Sequence, residues 1–302
     1  MATKKEIIRD FAENRPAAEG VYGYGSGVFK QPGNTNKKPL TDVIFIVKDI
    51  KNWHRLNMDL NEDDYSFLGK IHLNKASISK IKGRNKVTYL SEISENGYLF
   101  KYGVIELDDF KRGLENWDNI FMAGRFHKPV MEIKSTIEIR EAIRKNHKTA
   151  LFIAALYSNE FTTVHDIFIK LCSLSYLGDV RMKIAENPHK VEDIVEGSLK
   201  QLKMTYDFEV DYLVSYDDNK VFVNYGQLLT HIDELPSALK AHLIRKNVDL
   251  NDIDSIREAI QKFISLKNRV ESRYQILDGI RTNGIVRSVP YALHKVQRRF
   301  TK

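Results

Sequence analysis

The chain has 302 residues, of which 42% are hydrophobic and 29% are charged, and its formal net charge at pH 7 is +7. This is ordinary globular composition, sufficient for one large domain or two modest ones, and the basic balance suits a polyanionic partner such as a nucleotide, a nucleic acid or an anionic lipid surface. The single cysteine, Cys172, excludes a disulfide framework and a cysteine-based zinc site, and it indicates a reducing compartment.

The hydropathy pattern predicts neither a membrane span nor a leader peptide. No apolar stretch approaches the roughly 20 residues that cross a bilayer, and the longest uninterrupted one covers residues 150–156. Residues 1–10 lack the apolar segment of a signal peptide and carry acids that a mitochondrial transit peptide usually avoids. We therefore expect the chain either to start inside its working compartment or to have lost a targeting sequence.

The first part of the chain alternates short helical and strand patterns. The segment from Asp42 to Val47 is almost continuously apolar, which predicts a strand buried on both faces of a sheet. We predict an α+β domain over residues 1–132 with a mixed central sheet. Its predicted helices cover 4–14, 52–60 and 110–122, its strands cover 21–29, 42–47, 87–90 and 98–107, and a polar turn covers 31–39.

The second part of the chain is mostly helical. Helical periodicity predicts helices at 136–157, 164–175, 189–202 and 250–278. β-branched and aromatic residues at 212–216 and 221–225 flank turn-forming residues, which predicts a hairpin. Helices followed by a hairpin are typical of a winged-helix-like domain. We place this domain at residues 133–248 and assign residues 249–302 to C-terminal helices.

A glycine-serine turn followed by a buried acid forms the first candidate site. Gly25, Ser26 and Gly27 allow the backbone to approach a phosphate closely and offer it N–H groups and a hydroxyl. Asp42 begins the buried strand, where an ionised carboxylate needs a partner, and a divalent metal that bridges to a triphosphate is a suitable one. The arrangement resembles polymerase β-type nucleotidyltransferases, although a plain loop and strand is the competing interpretation.

The second acid of that pattern is missing. Enzymes of this superfold usually carry two acids separated by one residue on the second strand, and the second position here is Ile44. We expect Glu106, on a neighbouring strand, to supply the other metal-binding and catalytic carboxylate. Asp108 and Asp109 are alternatives, although acids at these positions also suit the start of the next helix.

A basic turn after the predicted helix at 110–122 supplies candidate phosphate contacts. Arg125 offers bidentate contacts and Lys128 a point charge, although the helix dipole also favours cations at a helix end. Lys101 is a third candidate for nucleotide binding. Tyr102 beside it is a candidate for stacking on a base, although aromatic residues in such positions usually belong to the core.

These motifs form part of a longer resemblance that runs in order from about residue 21 to the C-terminus. The chain resembles the mitochondrial translocator assembly and maintenance family, whose members are phosphatidate cytidylyltransferases. The matching blocks are Tyr22-Gly23-Tyr24-Gly25-Ser26-Gly27-Val28-Phe29-x-Gln31, Asp42-x-x-Phe45-x-Val47, Trp53-His54-x-Leu56-Asn57, Lys101-Tyr102-Gly103-Val104, Ala123-Gly124-Arg125-x-His127-Lys128-Pro129, Ser175-Tyr176-x-Gly178-Asp179-x-Arg181-Met182, Lys190-Val191-x-x-Ile194-Val195, Gly284-Ile285-Val286-Arg287-Ser288 and Tyr291.

The resemblance implies a Mg²⁺-dependent enzyme that makes CDP-diacylglycerol and pyrophosphate from CTP and phosphatidic acid, for phosphatidylglycerol and cardiolipin synthesis. It carries nucleotide and metal contacts to Gly25, Ser26 and Asp42, and phosphate contacts to the three basic residues named above. Family members act at the mitochondrial inner membrane on the matrix side. Because no transit peptide is evident, we favour a bacterial relative at the cytoplasmic face of the cell membrane.

The C-terminal tail predicts a membrane-associating helix. Residues 281–302 contain six Lys or Arg and no acid, and Ser288 is suited to cap a helix. A basic helix with one apolar stripe suits an anionic bilayer surface, although the same stripe could also pack on the protein core. The predicted membrane-binding residues are Val289, Leu293, Lys295, Val296, Arg298, Arg299 and Phe300.

Two other functions fit the same charge balance. One is another nucleotidyltransferase of the same superfold that acts on a nucleic acid or a small molecule. The other is a non-enzymatic winged-helix protein that binds nucleic acid. Asp217 and Asp218 at the predicted wing oppose contact with phosphates, so no stable nucleic-acid partner is expected.

Overall fold

The computed structural model describes residues 2–29, 32, 40–65, 87–180, 182, 187–206, 208, 210–217 and 219–274. The predicted turn at 31–39 falls almost entirely outside these ranges, and the predicted tail helix with its membrane-binding residues falls outside them completely. Over the described ranges, no helix combines the length and the apolar character that a membrane span requires.

A mixed five-stranded sheet organises the first part of the chain. Its strands are β1 Gly20–Tyr24, β2 Thr41–Val47, β3 Val87–Glu95, β4 Tyr98–Glu106 and β5 Val130–Lys134. The spatial order is β3-β4-β2-β1-β5, in which β2 and β4 are parallel and the other neighbours are antiparallel. The predicted mixed sheet is confirmed. Strand β5 was missed because its half-buried edge position leaves no clear alternation of apolar residues.

Helices cover both faces of this sheet. Helices α1 Lys4–Glu13 and α2 Ile50–Leu60 lie on one face, and α3 Leu107–Asn116, α4 Ile120–Phe126 and α5 Ile137–Leu156 lie on the other. Successive side chains of a strand point to opposite faces, so Val43 and Phe45 pack under α1 and α2 whereas Ile44 and Ile46 pack under the other group. Strand β2 is therefore buried on both faces, as its apolar sequence predicts.

The predicted single helix at 110–122 is wrong, because two helices occupy this region. Trp117 ends α3 in the left-handed conformation with φ of 55°. Its indole N–H donates to Asn146 Oδ1 at 3.0 Å, which fixes the break in the core. The side chain of Asn119 then accepts from Met122 N and caps α4. A separate α4 brings Phe121 against Tyr89 of the sheet, with ring centroids 6.1 Å apart.

The second part contains a small sheet surrounded by helices. Strands β6 Phe161–Thr163, β7 Leu213–Ser215 and β8 Lys220–Val223 pair in the antiparallel order β6-β8-β7, which confirms the predicted hairpin between β7 and β8. The helices are α6 Val164–Ser173, α7 Lys190–Thr205, α8 Tyr225–Thr230, α9 Ser237–Arg245 and α10 over residues 253–274. The short elements β6, α8 and α9 were not predicted.

Helix α10 connects the second part to the first. Ile256, Ile260 and Phe263 belong to the large core that α5, α6 and α7 also form. Farther along, Asn268 Nδ2 donates to the backbone oxygens of Leu174 and Leu177, each at 2.9 Å. These bonds hold this part of α10 beside the residues that follow α6.

Candidate functional site

Three strands bring polar side chains together at one end of the central sheet. Asp42 of β2 pairs in register with Lys101 of β4 and with Tyr24 of β1. Residues in register on neighbouring strands point to the same face, so all three side chains point to the face covered by α4. The site begins with this row of side chains.

The loop after β1 depends on two glycines that lie close to β2. Gly25 has a φ of +75°, and a Cβ atom built on it would lie 3.3 Å from Asp42 Oδ2. A Cβ atom on Gly27 would lie 2.1 Å from the backbone oxygen of Leu40, which no side chain tolerates. Glycine at both positions lets the loop approach the strand that carries Asp42.

The same loop forms a helical turn that presents backbone N–H groups. The backbone oxygen of Gly25 accepts hydrogen bonds from the N–H groups of Val28 and Phe29 at 3.0 and 2.9 Å. As in any first helical turn, the N–H groups of Ser26 and Gly27 are not used by the turn itself. Such N–H groups, together with the Ser26 hydroxyl, suit an anionic ligand such as a phosphate.

Arg125 projects from α4 to the same end of the sheet. Its guanidinium carbon lies 3.3 Å from the ring centroid of Phe121, Nη1 donates to the backbone oxygen of Phe121 at 3.0 Å, and Nε donates to the Tyr24 hydroxyl at 3.5 Å. Burial opposes its charged form, but interactions with Tyr89, Tyr24 and Asp42 outweigh burial and raise the Arg125 pKa. Arg125 is therefore a fixed, permanently charged cation.

Two tyrosines complete this polar cluster. Burial is the main reason that the pKa of Tyr24 lies well above its usual value, and Tyr89 and Asp42 raise it further, so the phenol stays neutral. Lys101 Nζ lies 4.9 Å from the ring centroid of Tyr89. No spacing pattern along the chain marks Tyr24 or Tyr89 as part of a site.

A pocket opens beside this cluster, between the two parts of the chain. Its wall includes Ser26, Arg125 and Lys128 from the first part and Lys190 of α7 from the second. Lys128 Nζ donates to Ser175 Oγ at 2.5 Å, which ties the two parts together at the pocket. The excess of cations in this wall favours a polyanionic ligand.

Glu106 is not part of this site, so its prediction as the second carboxylate is wrong. It pairs with Val47, whereas Asp42 pairs with Lys101, which places Glu106 five residues farther along β4. That separation is about 16 Å at 3.3 Å per residue, and Glu106 also points to the opposite face. There its carboxylate accepts from Ile50 N at the start of α2, at 3.3 Å.

Tyr102 is also directed away from the site. Its side chain is fully buried under α1 and α2, and its hydroxyl donates to Asp64 Oδ2 at 2.6 Å and accepts from Asn57 Nδ2 at 2.9 Å. The predicted stacking on a nucleotide base is therefore wrong. Ile44 is fully buried in the core, and over the described ranges no group of three His, Cys, Asp or Glu residues is arranged to hold a metal ion.

Comparison with known proteins identifies the family. The model of the family described as "Phosphatidate cytidylyltransferase, mitochondrial" matches residues 5–298. The chain belongs to this family. A relative of that name from Schizosaccharomyces pombe is 31% identical, and the alignment covers 91% of this chain and 79% of the relative. The relatives of that name from Mus musculus and Rattus norvegicus are 30% and 29% identical, and each alignment covers 97% of this chain and 93% of the relative.

Membership of the phosphatidate cytidylyltransferase family confirms the resemblance seen in the sequence blocks. These relatives are eukaryotic proteins named as mitochondrial. The bacterial interpretation therefore has no support, whereas the names of the relatives match the mitochondrial alternative.

Proposed function

We propose that this chain transfers the cytidylyl group of CTP to phosphatidic acid and forms CDP-diacylglycerol and pyrophosphate. Family membership over residues 5–298 supports this activity. The observation that carries the proposal is the meeting of Ser26, Asp42 and Arg125 at one end of the sheet, next to a cation-lined pocket. The same arrangement supports a polymerase β-type nucleotidyltransferase fold for the first part.

In the proposed reaction, a phosphate oxygen of phosphatidic acid attacks the α-phosphorus of CTP. A new P–O bond forms, the bond to the bridging oxygen breaks, and pyrophosphate leaves with the electron pair. The acceptor phosphate is already ionised at neutral pH, so the reaction needs no general base. The protein must instead position two anions and offset their repulsion. The loop at Gly25 and Ser26 would hold the triphosphate, and Arg125, Lys128 and Lys101 would supply positive charge.

Asp42 is the proposed protein ligand for Mg²⁺. The residues fit this ion, because Mg²⁺ is commonly held by one or two carboxylates together with the phosphates of the substrate. Gly25 leaves the carboxylate of Asp42 accessible from the loop side, where a Cβ atom would crowd Oδ2. When bound, the ion supplies charge neutralisation at the phosphates. Calorimetric titration of CTP binding with and without Mg²⁺, in wild type and Asp42→Asn, tests the assignment, which predicts that Mg²⁺ strengthens CTP binding only in the wild type.

The predicted tail helix is the proposed contact with the membrane, at the matrix side of the mitochondrial inner membrane. Truncation after residue 284 should leave CTP binding intact and sharply reduce activity on phosphatidic acid in vesicles, because the acceptor resides in the membrane. Co-sedimentation with anionic vesicles checks this. Equal pelleting of truncated and full-length protein would show that another surface reaches the lipid. Attachment should also weaken with salt, since the Debye length falls to about 3 Å at 1 M.

A label-transfer assay tests the proposed activity. Purified protein is mixed with vesicles containing phosphatidic acid and with CTP labelled at the α-phosphate, and parallel reactions use labelled ATP or an RNA acceptor. The proposal predicts label in CDP-diacylglycerol from CTP only. Label in RNA, or transfer from ATP to a small molecule, would replace it with another nucleotidyltransferase activity.

A further inference from the structure

A buried glutamate of α10 lies in the wall of the pocket that also contains Ser26 and Arg125. Glu271 is 9% exposed, although the residue is separated from the glycine-serine loop by most of the chain. The bonds from Asn268 to the backbone of Leu174 and Leu177 fix this part of α10 one turn earlier. The packing of α10 therefore fixes the position of the buried Glu271 side chain.

The two oxygens of the Glu271 carboxylate have different surroundings. The backbone N–H groups of Phe121 and Ile120, at the start of α4, donate to this carboxylate. Oε2, in contrast, is buried and has no hydrogen-bond partner among the described residues. Burial accordingly raises the pKa of Glu271 to about 7, although Phe121, Lys267 and Arg125 act in the opposite direction. A buried acceptor without a partner is costly, and a ligand that donates to it recovers that cost.

Because Oε2 is a hydrogen-bond acceptor, the part of a nucleotide that lies next to it must carry a donor. A carboxylate repels the triphosphate, which the loop at Ser26 and the cations already suit. It needs an N–H or O–H donor, and the only N–H group on the cytosine base is the exocyclic amine. Uracil carries a carbonyl oxygen at the same position, which cannot donate to Oε2. An amine that donates to Oε2 also favours the ionised form of Glu271. In protein–nucleic acid complexes, Glu and Asp side chains accept hydrogen bonds from the exocyclic amine of cytosine.

We propose that Glu271 is the residue that selects cytosine, with Oε2 accepting a hydrogen bond from the exocyclic amine of CTP. The inference rests on the proposed function and deepens it. Nothing in the sequence motifs marks this residue, because its partners in the pocket lie in the first part of the chain. Lys267, one turn before it on α10, and Arg125 on α4 are the charged groups that balance its charge.

The test compares nucleotide selectivity in wild type and Glu271→Gln. The glutamine amide can rotate to donate to the uracil oxygen, so the ratio of kcat/KM for CTP to that for UTP should fall by about tenfold or more, with UTP turnover rising in absolute terms. Damage to the pocket would lower both values together and leave the ratio unchanged. Glu258→Gln, an exposed position on the same helix that pairs with Lys262, is the matched control.

A second variant and a second substrate separate the possible outcomes. Glu271→Asp keeps the charge but withdraws it by one methylene, so it should weaken CTP binding while its melting temperature reports folding. If Glu271→Gln loses only its preference for CTP over 2′-deoxy-CTP, Oε2 contacts the ribose, and the proposed cytosine contact is overturned. An unchanged CTP-to-UTP ratio in folded Glu271→Gln would overturn it as well. If wild type itself forms no CDP-diacylglycerol from CTP, the proposed function fails, which is a separate result.

Discussion

The two faces of the central sheet use polar side chains differently at the same end of the strands. Under α1 and α2, Arg15 pairs with Asp64 at 3.1 Å, and Tyr102 and Asn57 extend the same buried network. Under α4, the polar groups around Asp42 border a pocket. Lys101 and Tyr102 are neighbours in sequence, yet one points to each face. The polar side chains under α1 and α2 are paired with each other in the core, and we propose that those under α4 bind the ligand.

The largest expected effect is on the face of the sheet under α1 and α2. Arg15→Met removes the cation and leaves Asp64 buried without its charge partner, which should cost about 3–5 kcal/mol of unfolding free energy. Thermal and denaturant unfolding measure this loss, and CTP binding by the folded fraction should stay unchanged. Weakened CTP binding in folded protein would show that the two faces are not separate.

The second largest effect is expected on the face under α4, which borders the pocket. Arg125→Met keeps the packing on Phe121 but removes the charge, so kcat/KM for CTP should fall by about 10²–10³-fold, the usual cost of losing one electrostatic stabiliser. The melting temperature should change little. Arg112→Met is the control, because Arg112 is an exposed residue of α3 that pairs with Asp109 and Asp118. Equal loss of activity in both variants would contradict the assignment.

Two tyrosines, one on each face, test the same difference between the faces through smaller effects. Tyr102→Phe removes the hydrogen bond to Asp64 and should cost about 1–3 kcal/mol of stability with turnover intact. Tyr24→Phe removes the acceptor for Arg125 Nε and should lower turnover with a smaller stability loss. Unfolding curves and initial rates for both variants check this. A reversed pattern would exchange the roles of the two faces.

The smallest effect is expected at Ser26. Ser26→Ala removes a hydroxyl but leaves the backbone N–H groups of the loop, so KM for CTP should rise by about 3–10-fold, which corresponds to one ordinary hydrogen bond. Steady-state kinetics on vesicles measure the change. An unaltered KM would mean that the Ser26 hydroxyl does not touch the phosphates.

The sequence predicted the elements whose pattern is local. The apolar run at 42–47 predicted the central strand, which the structure confirms. The glycines at 25 and 27 predicted a loop whose backbone can approach a phosphate. That contact stays a prediction, and the structure shows the loop packed closely against β2, with a φ of +75° at Gly25. The break at Trp117 was missed because a left-handed tryptophan is fixed by its bond to Asn146, a tertiary contact.

The errors in the site come from register and from distance along the chain. Glu106 lies on the strand beside Asp42, as expected, but the parallel register places it at the other end. Tyr102 follows Lys101, which is in register with Asp42, and alternation along the strand points Tyr102 to the other face. Glu271 reaches the pocket only through the docking of α10, and no local pattern encodes that contact.

The most direct test of the proposed catalytic site replaces one aspartate on each face with its uncharged isostere. Asp42→Asn and Asp64→Asn are measured side by side for formation of CDP-diacylglycerol from CTP and for thermal stability. We predict that Asp42→Asn loses turnover and keeps its melting temperature, whereas Asp64→Asn is less stable and keeps turnover per folded molecule. Near-normal turnover in folded Asp42→Asn would show that this end of the sheet, on the α4 face, is not the catalytic site.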